Sequence, residues 1–219
     1  MPVRKIPKNY IGVTGAFASL KNGRMLGFES LLERDLMILL EFDGQVEGFE
    51  EQPITVPISE LGKRPSKYVP DLLVQYKAST KPKKPRRPLL AEIKHTSDLA
   101  KHAAKYQPKF EAARNFAEDR DWEFRIINET EIRGPYLQNL KFLREYVKIA
   151  PSEADVAYLL GGLAELDGQS GLEDFLTHVC PSPERRLALL PVLWHLVVTG
   201  RVRTDLSVPL TGDTVLFLP

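Results

Sequence analysis

The stretch that most constrains this chain is Tyr68-Val69-Pro70-Asp71-Leu72-Leu73-Val74-Gln75-Tyr76, a basic loop, and Pro88-Leu89-Leu90-Ala91-Glu92-Ile93-Lys94. Twenty residues separate Asp71 from Glu92. Both halves are apolar runs rich in strand-favouring residues, bounded by Pro and charge, and they read as two strands. Side chains alternate along a strand. Leu89, Ala91 and Ile93 therefore share one face, and Glu92 and Lys94 share the other. If the strands are hairpin neighbours, Asp71 at the start of one lies beside Glu92 near the end of the next. Two carboxylates and an ammonium then meet at a sheet edge. Paired carboxylates are how proteins hold a hard divalent cation for phosphoryl chemistry, and a lysine beside them can orient water or neutralise phosphate charge. Pro-Asp and Glu-x-Lys are each common by themselves, so this reading rests on their spacing.

Charge is unevenly distributed. Residues 1–150 carry 26 Lys+Arg against 20 Asp+Glu, a net of +6, whereas residues 151–219 carry 4 against 9, a net of −5. Residues 77–87 hold six cations and no acid, and residues 27–51 hold eight acids and one Arg. A protein that places divalent cations beside a polyanion needs both kinds of patch, although an acidic run is also an ordinary solvated surface. The single cysteine, Cys180, excludes an internal disulfide and reads as a buried thiol in a reducing compartment. No apolar run is long enough to span a membrane, and the basic N-terminus has no apolar segment of a secretion signal. The expected location is cytoplasmic.

Taken in order, residues 1–27 read as a basic, irregular arm, with a short strand near Tyr10–Val13. Ser30-Leu31-Leu32-Glu33 is a capping box that opens a helix over 30–42, with Leu32, Leu36, Leu39 and Leu40 on one face. Glu33 has two readings: a helix cap, or a third carboxylate projecting toward Asp71 and Glu92. Glu29 and Glu41 compete for the second role. Residues 45–51 and 54–58 read as strands, the latter near an edge because of Pro57. The loop at 77–87 carries Lys81, Lys83, Lys84, Arg86 and Arg87, the proposed phosphate contacts. Residues 97–119 read as a helix capped by Ser97-Asp98 and interrupted at Pro108, with an outer row of Lys101, Lys105, Lys109 and Arg114. Residues 122–127 read as a strand, parallel to the Glu-x-Lys strand through a right-handed crossover. A helix over 135–148 follows.

The expected organisation is therefore an α/β catalytic domain over 28–150 with a mixed sheet flanked by helices, followed by a second domain over 151–219. In that second domain three helices precede two strands, at 201–206 and 214–218, a winged-helix-like α+β order. Glycine-rich phosphate loops, metal-spaced Cys/His sets and a serine-nucleophile elbow are absent from the sequence.

The set Ser30-Leu31-Leu32-Glu33-Arg34-Asp35, Glu51-Gln52-Pro53, Tyr68-Val69-Pro70-Asp71 and Ala91-Glu92-Ile93-Lys94 resembles the TnsA family. These proteins are the endonuclease subunits of heteromeric transposases, including those of CRISPR-associated transposons. The resemblance covers 28–148, and the part ending Gly200-Arg201-Val202-Arg203-Thr204-Asp205-Leu206 resembles the family's winged-helix second domain. It implies a restriction-endonuclease-like core of the PD-(D/E)xK type that cuts the non-transferred strand at the 5′ ends of the transposon. It implies Glu33, Asp71, Glu92 and Lys94 as the catalytic set, and Mg²⁺, with Mn²⁺ as a substitute, bound by Asp71 and Glu92 with Glu33 completing or bridging the site. The Ile93 main-chain carbonyl is implied as a further metal ligand. The implied partners are transposon-end DNA, a TnsB-like integrase-fold transposase and a TnsC-like AAA+ regulator. The alternatives are a stand-alone nuclease of restriction or recombination type and a non-catalytic DNA- or protein-binding module.

Overall fold

The computed structural model describes residues 13–59, 64–78, 85–180 and 182–219. The strand expected near Tyr10 and the cations Lys81, Lys83 and Lys84 therefore lie outside the described residues. The chain divides into two compact units, Met1–Arg133 and Gly134–Pro219.

The described part of the basic arm contains a hairpin that the irregular reading did not include. Strands β1 (Gly15–Ser19) and β2 (Arg24–Phe28) pair antiparallel, Gly15 opposite Phe28. Gly23 turns the chain with φ +63°, a conformation that favours glycine. Alternation does exist here, since Phe17, Leu26 and Phe28 are buried, but five-residue strands among scattered cations hide it. Helix α1 (Leu31–Phe42) follows, capped as its sequence predicts: the Ser30 hydroxyl accepts from the Glu33 amide at 3.2 Å.

Strand β3 (Val46–Glu51), with a register shift between Val46 and Gly48, borders the central sheet. Strands β4 (Val56–Ile58) and β5 (Ser66–Tyr68) form a separate antiparallel ribbon. Then come β6 (Leu72–Tyr76) and β7 (Leu89–Ile93), helices α2 (Thr96–Lys101) and α3 (Ala103–Glu118), and β8 (Glu123–Ile127). The sheet order is β3-β6-β7-β8; β7 and β8 are parallel and the other pairs antiparallel. This is the mixed α/β sheet the sequence implies, with the predicted parallel crossover. β7 is buried along its whole length, as a central strand must be.

Two local expectations fail. Residues 68–76 are not one strand: the chain leaves the ribbon after Tyr68 and enters the sheet at Leu72. Pro70 has no N–H to donate to a ladder, so the passage between the two pairings falls there. The helix over 97–119 breaks at His102 (φ −122°, ψ 24°), not at Pro108, which sits in the second turn of α3. A short helix α4 (Glu129–Ile132), closed by an Asn128–Glu131 capping box, completes the first unit.

In the second unit, helix α5 (Pro135–Leu143) continues into a 3-10 turn, Arg144–Tyr146. Leu143 is packed in one core with α6 (Glu153–Glu165), α7 (Leu172–Val179) and α8 (Pro183–Val198). That packing places α5 with the C-terminal helices, whereas the sequence reading put the junction at 150. The expected terminal hairpin is also different. Residues 201–206 contribute one bridge, Arg203 to Phe217, while β10 (Val215–Phe217) pairs antiparallel with β9 (Gln169–Gly171), between α6 and α7. Cys180 is buried and free. No described helix is long and apolar enough to cross a membrane.

Adjacent glycines in α6 give a test of this packing. A Cβ on Gly162 would lie 2.2 Å from Val179 Cγ1, whereas one on Gly161 meets nothing within 4 Å. Gly161→Ala is expected to stabilise the protein by about 0.5–1 kcal/mol through helix propensity. Gly162→Ala is expected to destabilise it by about 1–3 kcal/mol through overpacking against α7. Urea unfolding of the two variants checks the opposite signs.

Candidate active site

The first constraint on the site is register. Leu72 pairs with Ala91 and Leu73 with Leu90, so Asp71 falls beside Glu92 one step beyond the ladder. The Asp71 amide donates to the Ala91 carbonyl at 3.1 Å. The Ile93 amide then donates to Asp71 Oδ2 at 2.7 Å, which fixes the carboxylate against the end of β7. On the other side, the Gln52 amide donates to the Asp71 carbonyl at 2.9 Å, from a residue at φ 44°. The Pro-Asp turn is thus held from both neighbouring strands.

Lys94 closes the arrangement. Its amide donates to the Ile127 carbonyl at 3.1 Å, just past the parallel β7/β8 pairing. Its ammonium lies 2.8 Å from Glu92 Oε1, 3.3 Å from Asp71 Oδ2 and 3.0 Å from the Ile93 carbonyl oxygen. Three hard oxygens therefore converge on one cationic nitrogen. Glu92 is 3% exposed, so these charges interact with little solvent screening. Burial, and then the nearby Asp71 charge, raise the pKa of Glu92. Burial opposes the charge on Lys94, but the Asp71 and Glu92 carboxylates more than offset it and hold the ammonium above its ordinary pKa.

Glu33 takes the first of the two roles read from the sequence, the helix cap. Its Oε2 accepts from the Glu29 amide at 2.8 Å and its Oε1 from the Ser30 hydroxyl at 2.9 Å, so it completes the cap of α1. Burial, and then the Asp71 charge, raise its pKa, which places it within electrostatic reach of the site. Glu41 is engaged elsewhere: it accepts from Ser19 Oγ and the amides of Leu20 and Lys21, across the β1–β2 turn.

The rest of the acidic block is not a simple solvated run. Glu51 is 5% exposed and receives both guanidinium nitrogens of Arg24 at 2.9 Å. Asp35 is buried beside Arg34.

Tyr68 and Glu129 gained no role from sequence. The Tyr68 hydroxyl donates to Glu92 Oε2 at 2.5 Å, within the buried interior. Its pKa is raised by burial and by the Glu92 charge, which keeps it a neutral donor. No periodicity could have found this contact, because Tyr68 belongs to the β4–β5 ribbon, not to the sheet. Glu129 accepts from the Thr96 amide at 2.9 Å and from its hydroxyl at 2.5 Å, capping the helix that begins two residues after Lys94.

The described ends of the basic loop lie at the far end of the β6–β7 hairpin. The loop leaves β6 at Tyr76 and rejoins at Pro88, the end of the hairpin opposite Asp71 and Glu92. Tyr76 is five residue steps from Asp71 and Pro88 four from Glu92, roughly 13–17 Å along the strands. Arg86 stacks on the Tyr76 ring at 3.8 Å and donates to Gln45, while Arg87 pairs with Asp121. Lys109 of α3 lies beside the tyrosine that bonds Glu92, 5.8 Å from the centroid of the Tyr68 ring.

Residues 43–129 match the family described as TnsA-like endonuclease N terminal. This segment is similar to the TnsA-like endonuclease N-terminal domain. It contains Asp71, Glu92 and Lys94, and it implies a transposon-associated nuclease; Glu33 lies outside it. No curated protein matches the chain.

Among the described residues, no group of three or more His, Cys, Asp or Glu could hold a metal ion. The donors that do converge are two carboxylates and one main-chain carbonyl, all gathered within 3.3 Å of the Lys94 ammonium. Hard oxygens around a cationic centre, with more negative than positive charge, fit Mg²⁺. Lys94→Met is therefore expected to lower the stability of the metal-free protein by about 2 kcal/mol. That is below the usual cost of breaking a buried pair, because Glu92 can take up a proton. Urea unfolding at neutral pH measures the loss; an unchanged midpoint would deny the ammonium its structural role among the carboxylates.

Proposed function

We propose that this protein is the metal-dependent DNA endonuclease subunit of a heteromeric transposase and cuts the non-transferred strand at the 5′ ends of the transposon. The carrying observation is the convergence of Asp71, Glu92 and the Ile93 carbonyl on Lys94, within a segment that matches TnsA-like endonucleases. In this reading Asp71, Glu92 and the Ile93 carbonyl hold Mg²⁺, with Mn²⁺ as a substitute, and Glu33 adds negative charge from the N-terminus of α1. Bound Mg²⁺ lowers the pKa of water and neutralises charge on the phosphate. Lys94 orients the attacking water by donating to its oxygen, or offsets charge on the phosphate oxygens. The new bond joins water oxygen to phosphorus and the P–O3′ bond breaks, leaving a 3′-hydroxyl and a 5′-phosphate.

The partners in this proposal are transposon-end DNA, a TnsB-like transposase that cuts and joins the 3′ ends, and a TnsC-like AAA+ regulator. The chain's own cations position the backbone, and the transposase supplies the sequence. Lys109 is favoured as a phosphate contact by its place beside Tyr68, and Lys81, Lys83, Lys84, Arg86 and Arg87 are the loop cations proposed to contact phosphate. We read the second unit as winged-helix-like: a strand between α6 and α7 pairs with the last strand, which also bridges to Arg203. With few cations and an acidic balance, it suits protein docking better than DNA reading.

With the partner transposase and a transposon-end duplex, Asp71→Ala is expected to abolish 5′-end cutting and leave 3′-end joining intact. Normal cutting of both strands by that variant would refute the site. For the backbone contacts, Lys109→Ala is expected to reduce the slope of log K against log salt by about 0.9, the loss of one phosphate contact. A filter-binding titration of wild type and variant measures the slopes, and equal slopes would remove Lys109 from the DNA path.

A further inference from the structure

We infer that Tyr68 is a positioning residue for cation binding: it commits one oxygen of Glu92 and leaves the other to the metal. The inference rests on the reading of Asp71 and Glu92 as the cation-binding pair. The two oxygens of Glu92 have different partners. Oε2 accepts from the Tyr68 hydroxyl at 2.5 Å, and Oε1 faces Lys94 at 2.8 Å. Only Oε1 shares the point on which Asp71 and the Ile93 carbonyl also converge. The phenol thus decides which way the carboxylate is turned.

The phenol can do this because it is itself fixed. Tyr68 is 6% exposed and packs with Val56, Ile58 and Ala113, so its ring is held by the β4–β5 ribbon and α3. The backbone carrying it belongs to a different sheet from the one that carries Glu92. The hydroxyl therefore approaches Glu92 from outside the β6–β7 hairpin, and neither strand of that hairpin supplies a substitute donor. An oxygen held in this way cannot rotate into the site, so Glu92 is presented with one oxygen forward. Partners that orient a metal-binding side chain typically affect metal affinity by about 10- to 100-fold when removed. The effect here should fall on cation affinity and not on the chemistry after loading, because the hydroxyl bonds Oε2 and not the oxygen that faces Lys94.

The test uses the full-length chain and Mg²⁺ titration followed by calorimetry, with wild type, Tyr68→Phe and Asp71→Asn. Tyr68→Phe is expected to weaken Mg²⁺ binding by about 10- to 100-fold, and Asp71→Asn to remove it. In the cleavage assay with the partner transposase, raising Mg²⁺ by the same factor is expected to restore the Tyr68→Phe rate, which loss of fold would not permit. If wild type binds Mg²⁺, Asp71→Asn does not, and Tyr68→Phe binds as wild type does, the role of Tyr68 is overturned and the metal site stands. If wild type binds no Mg²⁺, or Asp71→Asn binds it equally, the metal reading falls and this inference with it. Should Tyr68→Phe fail to melt cooperatively, Tyr68→His, which retains a ring and an N–H donor, carries the same titration. Wild-type affinity together with the Glu92 bond lost would then overturn the inference.

Discussion

The Ile93 amide, donating to the Asp71 carboxylate at 2.7 Å, is the interaction around which the catalytic unit is arranged. It exists only if β6 and β7 pair in one register. A slip of one residue would turn Asp71 to the opposite face and bury the wrong side chains along a strand whose every residue is inside. The apolar core therefore enforces the register, and the register brings the charges together. Core packing and site geometry here are one constraint seen from two directions.

That arrangement leaves two carboxylates beside a lysine, with Glu33 close enough to feel the Asp71 charge. Such a cluster is costly to keep out of water, and the costs are offset locally. The Ile93 amide and the Lys94 ammonium satisfy Asp71, while Lys94 and Tyr68 satisfy Glu92. The Ser30 hydroxyl and Glu29 amide satisfy Glu33. Other buried acids follow a different rule. Glu51 takes both nitrogens of Arg24, an arrangement that fastens the β1–β2 hairpin to β3. Glu51 and Glu92 are both buried, but one answers to a single two-pronged arginine and the other shares its lysine with a second carboxylate.

The legible parts of the site were those set by local chemistry. Ser30 and Glu33 sit three residues apart, the spacing of a helix cap, and α1 starts there. The apolar runs on either side of the basic loop became β6 and β7, and the helix between two strands produced the parallel β7/β8 pairing. Less legible were features where the chain changes partner. At Val69-Pro70 it leaves one sheet for another, and no pattern within either strand announces that change. The break at His102 was hidden by Pro108, whose cost is one hydrogen bond in the second turn of α3 and is smaller than the signal it gives in sequence.

Sequence by itself determined the residues that carry charge, the strand pair that joins them and the mixed α/β class, because register and periodicity are properties of neighbouring residues. It also determined the resemblance, which the family match bears out over residues 43–129. Only the tertiary structure decided that Tyr68 reaches Glu92 from a separate ribbon and that Lys109 lies beside the Tyr68 ring. The same holds for Leu143 packing with the C-terminal helices. These are contacts between segments with independent local preferences. Their geometry is fixed by which apolar faces bury against each other, and nothing within any one segment specifies that choice.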